Sequence, residues 1–127
     1  MENSELIIAH VMLAFSSVLI GTLGKLVRPE EPNSMMGYRT KRSMKSQAAW
    51  DFANEYAGNL MMWTSIASIT IQIFAYFTME AMVAIYVAIG AITVSMFVVM
   101  GLTEYQLAQR FDKQGQPKNK SQIEDRF

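Results

Sequence analysis

The residues whose types and spacing could support chemistry concentrate in one polar stretch, Asn33 to Gly58, reading NSMMGYRTKRSMKSQAAWDFANEYAG. Four of the eleven Lys/Arg residues lie within Arg39–Lys45. Tyr38, Arg39, Thr40 and Ser43 stand close together after Gly37, a residue free to take positive φ. A planar guanidinium such as that of Arg39 can bond a carboxylate, a phosphate or helix-terminal carbonyls in bidentate fashion. Lys41, Arg42 and Lys45 are explained by attraction to anionic headgroups, each worth about 1 kcal/mol near a membrane surface. That attraction does not account for the grouping of an aromatic, an arginine and a hydroxyl.

Other chemistry is thin. Asp51 and Glu55 share a helix face four residues apart, a spacing that usually marks a solvated face. His10 stands alone on its apolar segment, without a second titratable group to relay a proton. With no cysteine and one histidine, a zinc or haem site lacks its usual ligands. The eleven methionines suit adaptable packing rather than a metal relay. There is no Ser/His/Asp set, no phosphate-binding glycine loop and no acidic pair within an apolar run. The expectation is a protein that is not an enzyme, with no cofactor, no metal and no nucleic-acid partner. A small transporter or membrane enzyme is the least supported class.

The elements that must position the polar stretch are three apolar runs, Leu6–Leu23, Leu60–Phe77 and Met82–Leu102, free of Asp, Glu, Lys and Arg. Eighteen helical residues rise about 27 Å, close to the hydrocarbon thickness of a bilayer. Lipid leaves no partner for open backbone groups, so each run is expected to be a transmembrane helix, with the lipid bilayer as first partner. The fold class is therefore an all-α integral membrane protein of three spans, about 6–23, 60–77 and 82–102.

All eleven basic residues fall between the first and second runs or after the third. The positive-inside rule then puts the N-terminus outside and the C-terminus in the cytoplasm. The acidic start, MENSE, lacks the basic region of a signal peptide, so the first helix is expected to be retained. Pro29 and Pro32 stop helical continuation after the first span. From Ser43 or Ser46, both suitable N-caps, Ala49, Phe52, Ala53, Tyr56 and Leu60 recur at helical steps. This predicts an amphipathic helix lying at the cytoplasmic interface, anchored by Trp50 and Tyr56 and bending into the second span at Gly58. Ser17 and Gly21 in the first span, and Ala84, Ala88, Ala91 and Ser95 in the third, are small-residue seams for close packing. Gln72 is expected to bond to a neighbouring helix. The membrane domain is placed at 1–103, with the motif loop and interfacial helix at 33–58. Residues 104–127, polar and broken by Gly115 and Pro117, are expected to form a disordered cytoplasmic tail.

The stretch from Asn33 to Gly58 resembles the SdpI family of small bacterial membrane proteins. The pattern is carried by Asn33, Gly37, Tyr38, Arg39, Thr40, Ser43, Trp50, Ala53, Asn54 and Gly58, and the arrangement of one span before and two after is similar. Lys41 stands where family members often have proline. The resemblance implies a protein of the bacterial plasma membrane that protects the cell from a secreted membrane-active toxin peptide. It would bind that peptide or a partner through Asn33, Gly37, Tyr38, Arg39, Thr40, Ser43, Trp50, Asn54 and Gly58, with Trp50 and Asn54 holding the loop. The alternative is a signalling protein that recruits a soluble cytoplasmic regulator. The family's named member is longer, with further spans, and also captures a repressor. A homo-oligomer is left open.

Overall fold

The structure, a computed structural model, describes residues 3–119. It holds three helices, α1 (Asn3–Leu26), α2 (Gln47–Thr78) and α3 (Ala81–Arg110), and no strand among the described residues beyond one isolated bridge between Phe111 and Pro117. All three helices are long and apolar enough to cross a membrane. Large apolar side chains cover the outside: Phe15, Trp63, Phe74 and Phe97 are each at least 60% exposed. Water would tolerate no such surface, whereas acyl chains solvate it, so the chain is a multi-pass membrane protein in contact with lipid.

Between the spans the buried residues are small. Ser17 and Gly21 of α1, Ser65, Ser68 and Ala75 of α2, and Ala84 and Ala88 of α3 pack α2 between its two neighbours. Without a hydrophobic drive between helices in lipid, close backbone approach and hydrogen bonds supply the attraction. Gln72 Nε2 donates to Ser17 Oγ across α1 and α2 at 2.8 Å, and the Ser68 and Ser95 hydroxyls meet at 2.8 Å between α2 and α3. The large buried side chains lie elsewhere. Trp50 and Leu107, at 0% and 1% exposure, belong to the end of the bundle where the polar stretch sits.

That end departs from the sequence expectation in two ways. First, residues 47–59 do not form a separate interfacial helix bending at Gly58. They are the opening turns of α2, which runs without interruption for 32 residues from its N-cap Ser46, whose side chain accepts from Ala49 N. The face buried is Ala49, Trp50, Ala53, Asn54, Ala57 and Gly58, so Trp50 is an interior residue and not an interfacial anchor. The reason is that the preceding loop folds over this face and supplies partners for its polar groups. Gly58 serves close contact: a Cβ there would lie 2.2 Å from the Gly24 carbonyl oxygen of α1.

Second, the residues after 103 are not a disordered tail as far as the structure describes them. α3 continues to Arg110, and 111–118 turn back on it. The Lys118 backbone N–H donates to the Arg110 carbonyl at 2.9 Å and Lys118 Nζ to the Ala108 carbonyl at 2.8 Å, so the hook caps carbonyls that the helix end leaves open. Ser46 Oγ donates to the Gly115 carbonyl at 2.5 Å and ties the hook to the start of α2. The rest of the expected tail, 120–127, lies outside the described residues.

Candidate functional site

The loop between α1 and α2 is built from its own short-range polar bonds. Asn33 opens it: Oδ1 accepts from Met35 N at 2.9 Å and Met36 N at 2.8 Å, a side-chain-closed turn typical of asparagine. Gly37 follows at φ +95°, in the region that a side chain rarely adopts, and a Cβ there would sit 2.6 Å from Asn54 Oδ1. Glycine thus lets the chain pass directly over α2.

Tyr38 is where the loop is tied down. Its backbone N–H donates to Asn54 Oδ1 at 2.6 Å, while Asn54 Nδ2 donates to the Trp50 carbonyl one helical turn back at 3.0 Å. Trp50 Nε1 donates to the Pro29 carbonyl at 2.8 Å and fixes the linker on the other side. At the far end of its ring, the Tyr38 hydroxyl donates to Glu104 Oε1 on α3 at 2.9 Å. Arg42 Nε lies 3.5 Å from the second oxygen of the same carboxylate. Burial, and after it the bond to Glu104 and that group's negative charge, push the Tyr38 phenol well above the ordinary tyrosine value. Tyr38 therefore stays un-ionised and acts as a donor.

Thr40 and Ser43 close one helical turn by exchanging bonds. Thr40 N donates to Ser43 Oγ at 2.8 Å and Ser43 N to Thr40 Oγ1 at 3.2 Å, the reciprocal logic of a capping box. Ser43, fully buried, donates in turn to the Tyr38 carbonyl at 3.0 Å. Arg39 lies on the exposed side. Its Nη1 donates to the Ser34 carbonyl within the loop rather than to a helix terminus.

Of the residues singled out from the sequence, Gly37, Tyr38, Trp50 and Asn54 thus form one contiguous cluster. Thr40 and Ser43 support it from below, and Asn33 and Arg39 shape the loop around it. Gly58 stands one turn further along α2, at the contact with α1. Two partners were missed. Glu104 falls in the stretch expected to be a tail, though it is the first acidic residue after the third apolar run and faces a basic loop. The backbone carbonyl of Pro29 carries no sequence signal at all.

Beside the cluster is a groove of about 320 Å³ between the end of α1, the loop and α2. Leu23, Val27, Met35, Met36 and Met61 line it, with Tyr38 and Asn54 at its polar wall. A flexible thioether adapts to varied apolar shapes, and Met35 is 83% exposed. Among the described residues, no group of three or more His, Cys, Asp or Glu is placed to hold a metal ion.

A family model described as the SdpI/YfhL protein family matches residues 30–101, more than half of the chain and the whole of this cluster apart from its partners Pro29 and Glu104. The chain belongs to the SdpI/YfhL family. A curated relative, "Uncharacterized protein YfhL" of Bacillus subtilis (strain 168), is 43% identical over 49 residues, 39% of this chain and 44% of that protein. The chain therefore covers less than half the length of that relative. No solved structure matches. In this SdpI/YfhL member the residues of the sequence pattern do distinct work: Gly37 and Gly58 permit close approach, Asn54 and Trp50 hold the loop, and Arg39 alone keeps a charged group outward.

Proposed function

We propose that this SdpI/YfhL-family protein is an immunity-type protein of the bacterial plasma membrane that protects the cell against a secreted, membrane-active peptide. It does so by binding and not by catalysis. The observation that carries the reading is the methionine-lined groove set against a rigid polar cluster. An apolar peptide segment already in the bilayer would lay its side chains against Leu23, Val27, Met35 and Met36. Arg39, exposed in the same loop, would take an acidic side chain or the terminal carboxylate of the peptide. With the N-terminus outside, as the one-sided placement of basic residues argues, the groove lies at the cytoplasmic level of the membrane.

The experiment is survival of a sensitive bacterial host challenged with a panel of secreted toxic peptides, with and without the protein at matched membrane levels. Met36→Glu places a charge in the groove, whereas Met44→Glu places it on an exposed residue outside. Protection abolished by Met36→Glu and by Arg39→Ala, and kept by Met44→Glu, is the expected result. A wild type that protects against no peptide in the panel, or full protection by Met36→Glu, would overturn the proposal.

A further inference from the structure

A second concavity lies at the same end of the molecule but on the α3 side, separate from the methionine groove. It measures about 330 Å³ and is lined by Lys41, Arg42 and Lys45 of the loop, Leu107 and Phe111 at the end of α3, and Lys113 of the hook. Two segments distant in sequence, the loop and the end of α3 with its hook, thus converge four cations over an apolar floor. Lys41, Lys45 and Lys113 form no ion pair or hydrogen bond with their side chains among the described residues. Arg42 shares Glu104 with Tyr38.

The acidic residue of the lining, Asp112, is already engaged. Its Oδ1 accepts from Gln114 N and Gln116 N, both at 2.9 Å, and so closes the hook. Those amide bonds hold the carboxylate in place without cancelling its charge, so the lining sets four cations against one carboxylate and keeps an excess of positive charge. Like charges held together are unfavourable, and a ligand carrying negative charge relieves that repulsion. Leu107 lies about 8 Å along the helix axis beyond the last residue of the apolar run, Leu102, which is headgroup depth and not bulk solvent.

We infer that this cavity is a site for the phosphodiester headgroup of an anionic membrane phospholipid, held by Lys41, Lys45 and Lys113 with its glycerol end against Leu107 and Phe111. The apolar floor favours a lipid over free phosphate, because inorganic phosphate has no group to place there. The site differs from diffuse surface attraction in needing the hook: Lys113 reaches the loop lysines only because Ser46 and Gly115 join hook and helix.

The test is native mass spectrometry of the whole protein released from vesicles of phosphatidylcholine with one-tenth phosphatidylglycerol, counting lipids retained. The wild type is expected to keep one phosphatidylglycerol in preference to phosphatidylcholine. Each lysine near an anionic headgroup is worth a factor of about five, so Lys45→Gln with Lys113→Gln should weaken retention about thirty-fold. Lys25→Gln with Arg28→Gln removes the same charge from the end of α1 and the linker just after it, across α2, and should leave retention unchanged. Lys113→Gln alone, at an exposed hook position, should give about a five-fold loss with unaltered folding. Equal loss in both double variants, no preference in the wild type, or displacement of the lipid by millimolar inorganic phosphate would each overturn the inference.

Discussion

Replacing Gly58 by alanine sets two opposed effects against each other at a single methyl group. A Cβ at 58 would lie 2.2 Å from the Gly24 carbonyl oxygen and 3.2 Å from its carbon. Unstrained C···O contacts begin at about 3.3 Å, so α1 and α2 must part by roughly 1 Å at their crossing. The obstacle is backbone, which cannot rotate aside, and overpacking of this kind costs about 1–3 kcal/mol. Alanine gains at most about 1 kcal/mol over glycine from helix propensity. The steric term wins, and Gly58→Ala should destabilise the fold by about 1–2 kcal/mol. The bonds from Lys25 Nζ and Arg28 Nη2 to Asn59 Oδ1, at 2.6 and 3.2 Å, weaken with the same separation. Gly90 and Gly101 are the control, since a Cβ at either meets nothing within 4 Å. There alanine should be neutral or stabilising by up to about 1 kcal/mol. The assay is unfolding of purified protein in mixed micelles titrated with dodecyl sulfate, in a Trp63→Phe background so that emission reports Trp50. If Gly58→Ala were as stable as the Gly90 and Gly101 variants, the close approach of α1 and α2 would be refuted.

Four further outcomes follow from the geometry. Asn54→Ala leaves the Tyr38 N–H without its acceptor and removes the bond to Trp50, so it should cost about 2–4 kcal/mol in the same titration and speed proteolysis of the 28–45 loop. For Tyr38, a raised folded value means that its neutral form supports the fold below the ordinary tyrosine pKa of about 10, and this support is lost as pH climbs through the higher folded value. Absorbance near 295 nm should therefore show no phenolate difference between folded wild type and Tyr38→Phe at pH 10.5, while the stability that Tyr38 adds should decline steadily from about pH 10 upward. Gln72→Leu loses one interhelical bond but also removes a buried carbonyl oxygen with no partner among the described residues, so it should be neutral within about 1 kcal/mol. Ser46→Ala deletes both the α2 cap and the tether to Gly115; it should cost about 1–2 kcal/mol and expose the hook to trypsin at Lys113.

The spans were legible because lipid permits so few solutions: an 18-residue run without charge has to close its hydrogen bonds internally, and a helix does that. The small-residue seams were legible on the same ground, and Ala84, Ala88 and Ser17 are buried in them. The polar end was harder to read. A helical wheel of 47–59 treats the surroundings as water on one side and membrane on the other, so it offers Asn54 no partner, and only the family resemblance sets that residue to holding the loop. In the structure that residue is covered by its own upstream loop, a contact sixteen residues away in sequence. Glu104 pairs with Tyr38 across 66 residues, beyond the reach of any local pattern. The hook after Arg110 is built from backbone carbonyls and an aspartate turn, so its polar composition resembles that of an unstructured tail.

The continuity of α2 has a mechanical consequence. A rod of 32 residues is about 48 Å long, more than the full thickness of a bilayer with its headgroups. One end carries the Trp50–Asn54 cluster, and the other carries Tyr76, which meets the His10 ring of α1 edge-on at 5.0 Å. Because no break interrupts the rod, a pivot of about 5° at the midplane moves each tip by about 2 Å in opposite directions. A load applied at one membrane face would thus be felt as a displacement at the other, with α2 acting as a lever and the glycine and serine contacts between the spans as its fulcrum.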